Sequence, residues 1–221
     1  MLQIKKALVE VPRTCRYFSI NSVRSKTKNI WIVLHGYGQL AEYFIRHFSE
    51  LDPNENHIIA PEGISRFYVN GLSGRVGASW MTKEDRENEV HDQSYLINAV
   101  LNDCNIDPRK SNCRIIVLGF SQGATTAVRW LVNNKIRPDQ LILWAGSFPH
   151  DVKPEEHAEV FDDLPVHFAY GDEDPILAQV NLQEKLDEFK SMGVSMKQWA
   201  FKGKHTIDKD MLQQIVDSFD V

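Results

Sequence analysis

A mostly parallel β-sheet with helices on both faces is the fold class this sequence predicts, and three observations predict it. Short β-rich runs alternate with helical patterns along the chain. Several runs, such as "NIWIVLHGYG" and "CRIIVLG", are continuously apolar, which suits strands buried on both sides. Polar or glycine-rich residues recur where the runs stop, and sheets of this class build their sites beyond the carboxyl ends of strands.

In chain order, residues 2–9 and 14–20 read as two strands around "VPRT", an antiparallel edge hairpin. "NIWIVLHGYG" is a buried parallel strand ending in glycines. Leu40, Tyr43, Phe44, His47, Phe48 and Leu51 then fall on one helical face. "HIIAPEG" is a short strand, and residues 62–82, glycine-rich with little periodicity, read as a surface loop. Val90, Ser94, Ile97, Leu101 and Cys104 mark one face of a long helix whose charged start, "KEDRENEVHD", is a solvated face. "CRIIVLG" is a strand, followed by a helix marked by Ala124, Ala127, Val128 and Leu131. "QLILWAG" and "VHFAYG" are strands, Leu182, Leu186 and Phe189 mark a helix, "SMKQWAF" is the last strand and 206–219 the last helix.

The bulk numbers fit one domain over residues 1–221, with 43% hydrophobic and 25% charged residues. A net charge of -5 without a basic stripe argues against nucleic acid as a partner. The start "MLQIKKALVEVPRTCRYF" has no apolar signal-peptide core, and no stretch nears the roughly 18 apolar residues of a membrane span. Cys15, Cys104 and Cys113 are odd in number and lack a C-x-x-C pattern. A cytoplasmic protein with free thiols and no metal site is therefore expected, without stable membrane association. His91, His150 and His157 lack metal-ligand spacing and read as solvated.

Four strand ends carry the chemistry: His35-Gly36-Tyr37-Gly38, Ser121 within "GFSQG", Asp172 and Asp174 in "YGDEDP", and His205 in "FKGKH". A strand turning sharply into a helix needs small neighbours, here Gly119 and Gly123, and lifts a serine hydroxyl clear of the sheet. Taken alone, Ser121 could equally be a helix cap. A seryl hydroxyl is a poor nucleophile until a base takes its proton, and the base needs a carboxylate to orient it. The chain supplies serine, acid and histidine in that order, the order of α/β-hydrolases. One of Asp172 and Asp174 would be the acid and the other a turn residue.

"LHGYG", "GFSQGA", "GDEDP", "KGKH" and "SWM" resemble the phospholipase/carboxylesterase family of α/β-hydrolases, which includes acyl-protein thioesterases, from about residue 29 to the end. The resemblance implies Ser121 as nucleophile, Asp174 as acid and His205 as base. It implies an oxyanion hole from the backbone N–H groups of Tyr37 and Gln122, with Trp80 lining the acyl pocket; His35, by its place in the loop, reads as a structural residue that hydrogen-bonds nearby backbone. The chain departs from the family pattern at Gln39, Met81, Pro175-Ile176-Leu177 and Lys204, all outside the triad.

The expected function is hydrolysis of carboxylic esters or thioesters of small to medium acyl groups, with no cofactor. The connection over residues 147–164 is too short for a separate cap domain, and it is acidic without a broad apolar face. A shallow cleft lined by Tyr37, Trp80, Phe148 and Ile176 or Leu177 is expected instead. A small serine peptidase is the alternative within catalysis, although such enzymes usually carry an additional domain. A silent binding protein on the same fold would lack a triad member, and none is missing.

Overall fold

The computed structural model describes residues 2–177, 187, 190, 191, 193, 194 and 196–220. Seven strands form the main sheet: β1 (Tyr17–Ile20), β2 (Asn29–Leu34), β3 (Asn56–Pro61), β6 (Arg114–Phe120), β7 (Gln140–Trp144), β8 (Val166–Gly171) and β9 (Met196–Phe201). Their order is β1-β3-β2-β6-β7-β8-β9. Every pair is parallel except β1 against β3. β4 (Ser65–Tyr68) and β5 (Val76–Ser79) form a separate antiparallel pair. Helices are α1 (Ala41–Phe44), α2 (Arg86–Asp103), α3 (Gln122–Asn134), α4 (Ala158–Phe161) and α5 (Lys209–Asp217).

The period of two along each strand sends alternate side chains to opposite faces. Ile30, Ile32 and Leu34 of β2 join one apolar cluster with Leu96, Ile97 and Leu101 of α2 and Ala127, Val128 and Leu131 of α3. Trp31 and Val33 join the other, with Phe44, Phe48, Leu212 and Ile215 from α1, the 3-10 turn after it and α5. Strands covered on both sides thus read as unbroken apolar runs.

Three expectations are corrected. Residues 2–9 form no strand: Leu2, Ile4 and Val9 are at least 85% exposed, and β1 alone takes the edge of β3. The outer edge of β1, the terminal strand of the sheet, stays unpaired among the described residues. The helix expected over 40–51 is one α-turn followed by 3-10 turn Ile45–Phe48, because i, i+3 and i+4 spacing over so few residues serves either geometry. Residues 62–82 contain the β4–β5 hairpin, closed by a turn in which Gly71 and Gly74 take φ of +77° and +92°. The helix expected at Leu182, Leu186 and Phe189 lies outside the described residues.

One buried carboxylate fastens the edge of the sheet. Glu62, 2% exposed, accepts from Arg16 Nε at 2.7 Å, from Arg66 Nη1 at 3.1 Å and from the Ala41 N–H at 3.2 Å. It joins residues beside β1, β3 and α1 to β4. Among the described residues no helix is long and apolar enough to cross a membrane.

Candidate active site

β6 ends at Phe120 and α3 begins at Gln122, so Ser121 alone makes the turn. It does so at φ 53° and ψ -115°, a conformation that costs a non-glycine residue on the order of 1–3 kcal/mol. The Ser121 N–H donates to the Trp144 carbonyl at 2.8 Å, and the Ser121 carbonyl accepts from the Ala124 N–H at 3.0 Å. A Cβ on Gly123 would lie 2.1 Å from the Leu34 oxygen, and one on Gly119 would lie 2.4 Å from the Ala124 Cα. Only glycine lets α3 approach β2 and β6 so closely. The Ser121 side chain does not cap α3, which removes the helix-cap reading.

Asp174 and His205 come from the ends of β8 and β9 and meet there. Asp174 Oδ2 lies 2.6 Å from His205 Nδ1. Asp174 is 1% exposed, and its Oδ1 accepts from the Ile176 N–H at 2.8 Å and the Leu177 N–H at 3.4 Å. A buried carboxylate is retained only when its lone pairs are so occupied. Asp172 is exposed and accepts from the Gly203 N–H at 3.1 Å, the bond of a loop residue. The ring of Phe120, next to Ser121, packs on the His205 ring with centroids 4.8 Å apart. Among the described residues the Ser121 hydroxyl makes no hydrogen bond, so the structure joins His205 to Asp174 but not to Ser121.

Tyr37 follows the end of β2 and is 60% exposed, its ring against Phe67 with centroids 5.0 Å apart. Among the described residues neither the Tyr37 nor the Gln122 backbone N–H has an acceptor. His35, just before, is fully buried: its Nε2 accepts from the Gly63 N–H at 3.0 Å, so Nδ1 carries the proton to the Gly36 carbonyl at 2.8 Å. Burial pushes this imidazole down to about 4.

The expected acyl-pocket residues divide. Ile176 is 51% exposed and Leu177 half-buried. Trp80 and Phe148 are 1% and 4% exposed and pack in one interior apolar cluster. Phe148 packs edge-on to Phe161. The Trp80 indole donates to the His35 carbonyl at 2.8 Å and stacks on the His35 ring. Two surface cavities of about 600 Å³, one between α2 and α3 and one between α1 and the hairpin, include none of Ser121, Asp174 and His205.

Sequence reasoning missed Gln93, whose amide donates to the Trp80 carbonyl at 2.7 Å, and the Gln122 side chain, whose amide donates to the Met81 carbonyl at 2.8 Å. It also missed Glu62, although an acidic residue at the end of a buried strand is itself a signal.

Chemically, a hydroxyl on a sheet-mounted turn, two unpaired N–H groups and a carboxylate-oriented imidazole share one end of the sheet. Esterase PE8 superposes with a TM-score of 0.67 and 21% identity over 93% of this chain and 97% of that one. Acyl-protein thioesterase 2 from Zea mays gives 0.68 and 18% over 91% and 96%. A phospholipase/carboxylesterase from Dyadobacter fermentans gives 0.64 and 19% over 96% and 99%. No curated protein matches the sequence. The phospholipase/carboxylesterase family model matches residues 15–221, and the chain, with its α/β-hydrolase fold, belongs to that family.

Proposed function

We propose that the protein is a serine hydrolase of carboxylic esters or thioesters with small to medium acyl groups. Ser121 is the nucleophile, His205 the base, Asp174 its orienting acid, and the N–H groups of Tyr37 and Gln122 form the oxyanion hole. The observation that carries the reading is the 2.6 Å His205–Asp174 contact at the same sheet end as the strained Ser121 turn. With its Nδ1 proton directed at Asp174, the imidazole presents an unprotonated Nε2.

Attack by the Ser121 Oγ on the carbonyl carbon forms the C–O bond while Nε2 takes the hydroxyl proton. The carbonyl oxygen becomes an oxyanion held by the two N–H groups. Collapse breaks the bond to the leaving alcohol or thiol, which receives the proton from Nε2. Water, deprotonated by the same nitrogen, then releases the carboxylic acid and restores Ser121. The names of the structural neighbours, an esterase and a thioesterase, support the substrate class. Free Cys15, Cys104 and Cys113 support a reducing compartment such as the cytoplasm.

A fluorophosphonate label mapped by mass spectrometry tests the assignment. Modification at Ser121 with loss of esterase activity is expected. Full activity after labelling, or a label elsewhere, refutes it.

A further inference from the structure

The two N–H groups assigned to the oxyanion hole sit on different segments, Tyr37 after β2 and Gln122 after β6. Their separation must match one oxyanion, so something must hold the segments in register. Outside the strands, one described residue hydrogen-bonds to both. The Trp80 indole N–H donates to the His35 carbonyl at 2.8 Å, two residues before Tyr37. The Trp80 backbone N–H donates to Gln122 Oε1 at 3.1 Å. The Gln122 amide closes the loop by donating to the Met81 carbonyl at 2.8 Å. The Trp80 carbonyl is held in turn by Gln93 from α2 at 2.7 Å.

The rest of β5 works in the same direction. The Gly38 N–H donates to the Ala78 carbonyl and the Ala78 N–H to the Gln39 carbonyl, both at 2.9 Å. Gly77 lies so close beneath this turn that a Cβ there would be 2.4 Å from the Gly38 oxygen. Ser79 Oγ lies 3.3 Å from the Gln122 amide nitrogen. Residues 77–79 therefore brace the loops at both ends, and Trp80, with 1% exposure, bonds across them.

We infer that Trp80 is a positioning residue: a strut that sets the spacing between the two oxyanion N–H groups, with β5 as its mount. This rests on the proposed serine-hydrolase mechanism and adds to it what fixes the geometry. The strut touches no substrate. Its loss lowers transition-state binding and leaves ground-state binding in place, because the oxyanion exists only along the reaction path.

The test uses Trp80→Phe, which keeps an aromatic ring and removes the indole N–H, together with Gly77→Ala, which pushes on Gly38 without altering residue 80. Steady-state kinetics on 4-nitrophenyl butyrate are combined with fluorophosphonate titration of active sites and inhibition by an alkyl boronic acid, whose tetrahedral adduct uses the hole. Losing one oxyanion donor outright costs about 10²–10³ in kcat. A displaced donor is expected to cost roughly 10- to 100-fold in kcat, with KM within about threefold and boronate inhibition weakened in proportion. The titrated fraction of active sites stays at the wild-type level in both variants. Wild-type kcat per titrated site in both variants overturns the inference, since any loss would then be misfolding. A raised KM for longer esters with unchanged kcat overturns it too, by returning Trp80 to the acyl pocket. Failure of the underlying mechanism is read separately, as a wild-type protein that takes no label at Ser121.

Discussion

Replacing Asp174 by asparagine tests the acid and the histidine tautomer together. Asp174 Oδ1 accepts from two backbone N–H groups, Ile176 at 2.8 Å and Leu177 at 3.4 Å, while Oδ2 faces His205 Nδ1 at 2.6 Å. An asparagine in this buried pocket must keep its carbonyl oxygen on the two N–H groups, because its NH₂ there would set donor against donor. The NH₂ then faces Nδ1 and obliges that nitrogen to accept. The ring proton moves to Nε2, which can no longer take a proton from Ser121. In a serine protease the wrong tautomer costs about 10⁴ in kcat, or roughly 5 kcal/mol of transition-state stabilisation. Asp172 provides the control. It is exposed and accepts from the Gly203 N–H, a bond that an asparagine oxygen retains. Asp172→Asn is therefore expected within about threefold of wild type, as for other surface changes. The assay is kcat on 4-nitrophenyl butyrate, normalised by active-site titration, with a thermal melt to confirm folding. A larger loss in Asp172→Asn, or Asp174→Asn within tenfold of wild type, would refute the reasoning.

Ser121→Ala is expected to lower kcat by on the order of 10⁴–10⁶ and to abolish fluorophosphonate labelling, since the members of a triad act as a unit; ordinary ester turnover in that variant rules Ser121 out. Across a nitrophenyl ester series, kcat/KM should climb from acetate to between butyrate and octanoate, by about 0.8 kcal/mol per buried methylene, then level off. With Trp80 and Phe148 in the interior, exposed Tyr37 and Ile176 offer a short apolar surface; a maximum at palmitate, or a rate jump at the micelle concentration, contradicts this. Burial lowers His35 and His167 from 6.5 to about 4 each. Between those values the unfolded chain binds protons that the folded one refuses, so stability is full above pH 6.5 and drains as pH falls to 4, by on the order of 3 kcal/mol per ring. Urea unfolding midpoints that do not drop between pH 7 and pH 4.5 would count against it.

What could be read from the sequence depended on how local the signal was. β2, β6 and β7 announce themselves because burial on both faces leaves no polar position inside the run, and in β8 His167 alone interrupts it. Ser121, Asp174 and His205 were legible as candidates because each sits within a few residues of a strand end. The β4–β5 hairpin was not, since its strands have four residues each and four glycines from 63 to 77 hide the alternation. Residues 2–9 carry a strand-like alternation, but strand formation needs a partner edge that no local pattern reveals. Trp80 shows the same limit: an aromatic residue near a site is equally suited to a pocket wall or the interior. Its partners, at positions 35, 93 and 122, are far away in sequence.

The clasp at Glu62 bears on self-association. β1 is four residues long and covers the outer hydrogen-bonding edge of β3, which carries Ile58, Ile59 and Ala60. Short terminal strands discourage edge-to-edge pairing, and a longer apolar one invites it. Arg16, immediately before β1, fastens that strand through its two contacts with Glu62. If the clasp opens, the edge offered to solvent changes from a short strand flanked by charge to six residues ready to pair with the same strand in another copy. Arg16 and Glu62 thus keep covered an edge through which two copies could join their sheets.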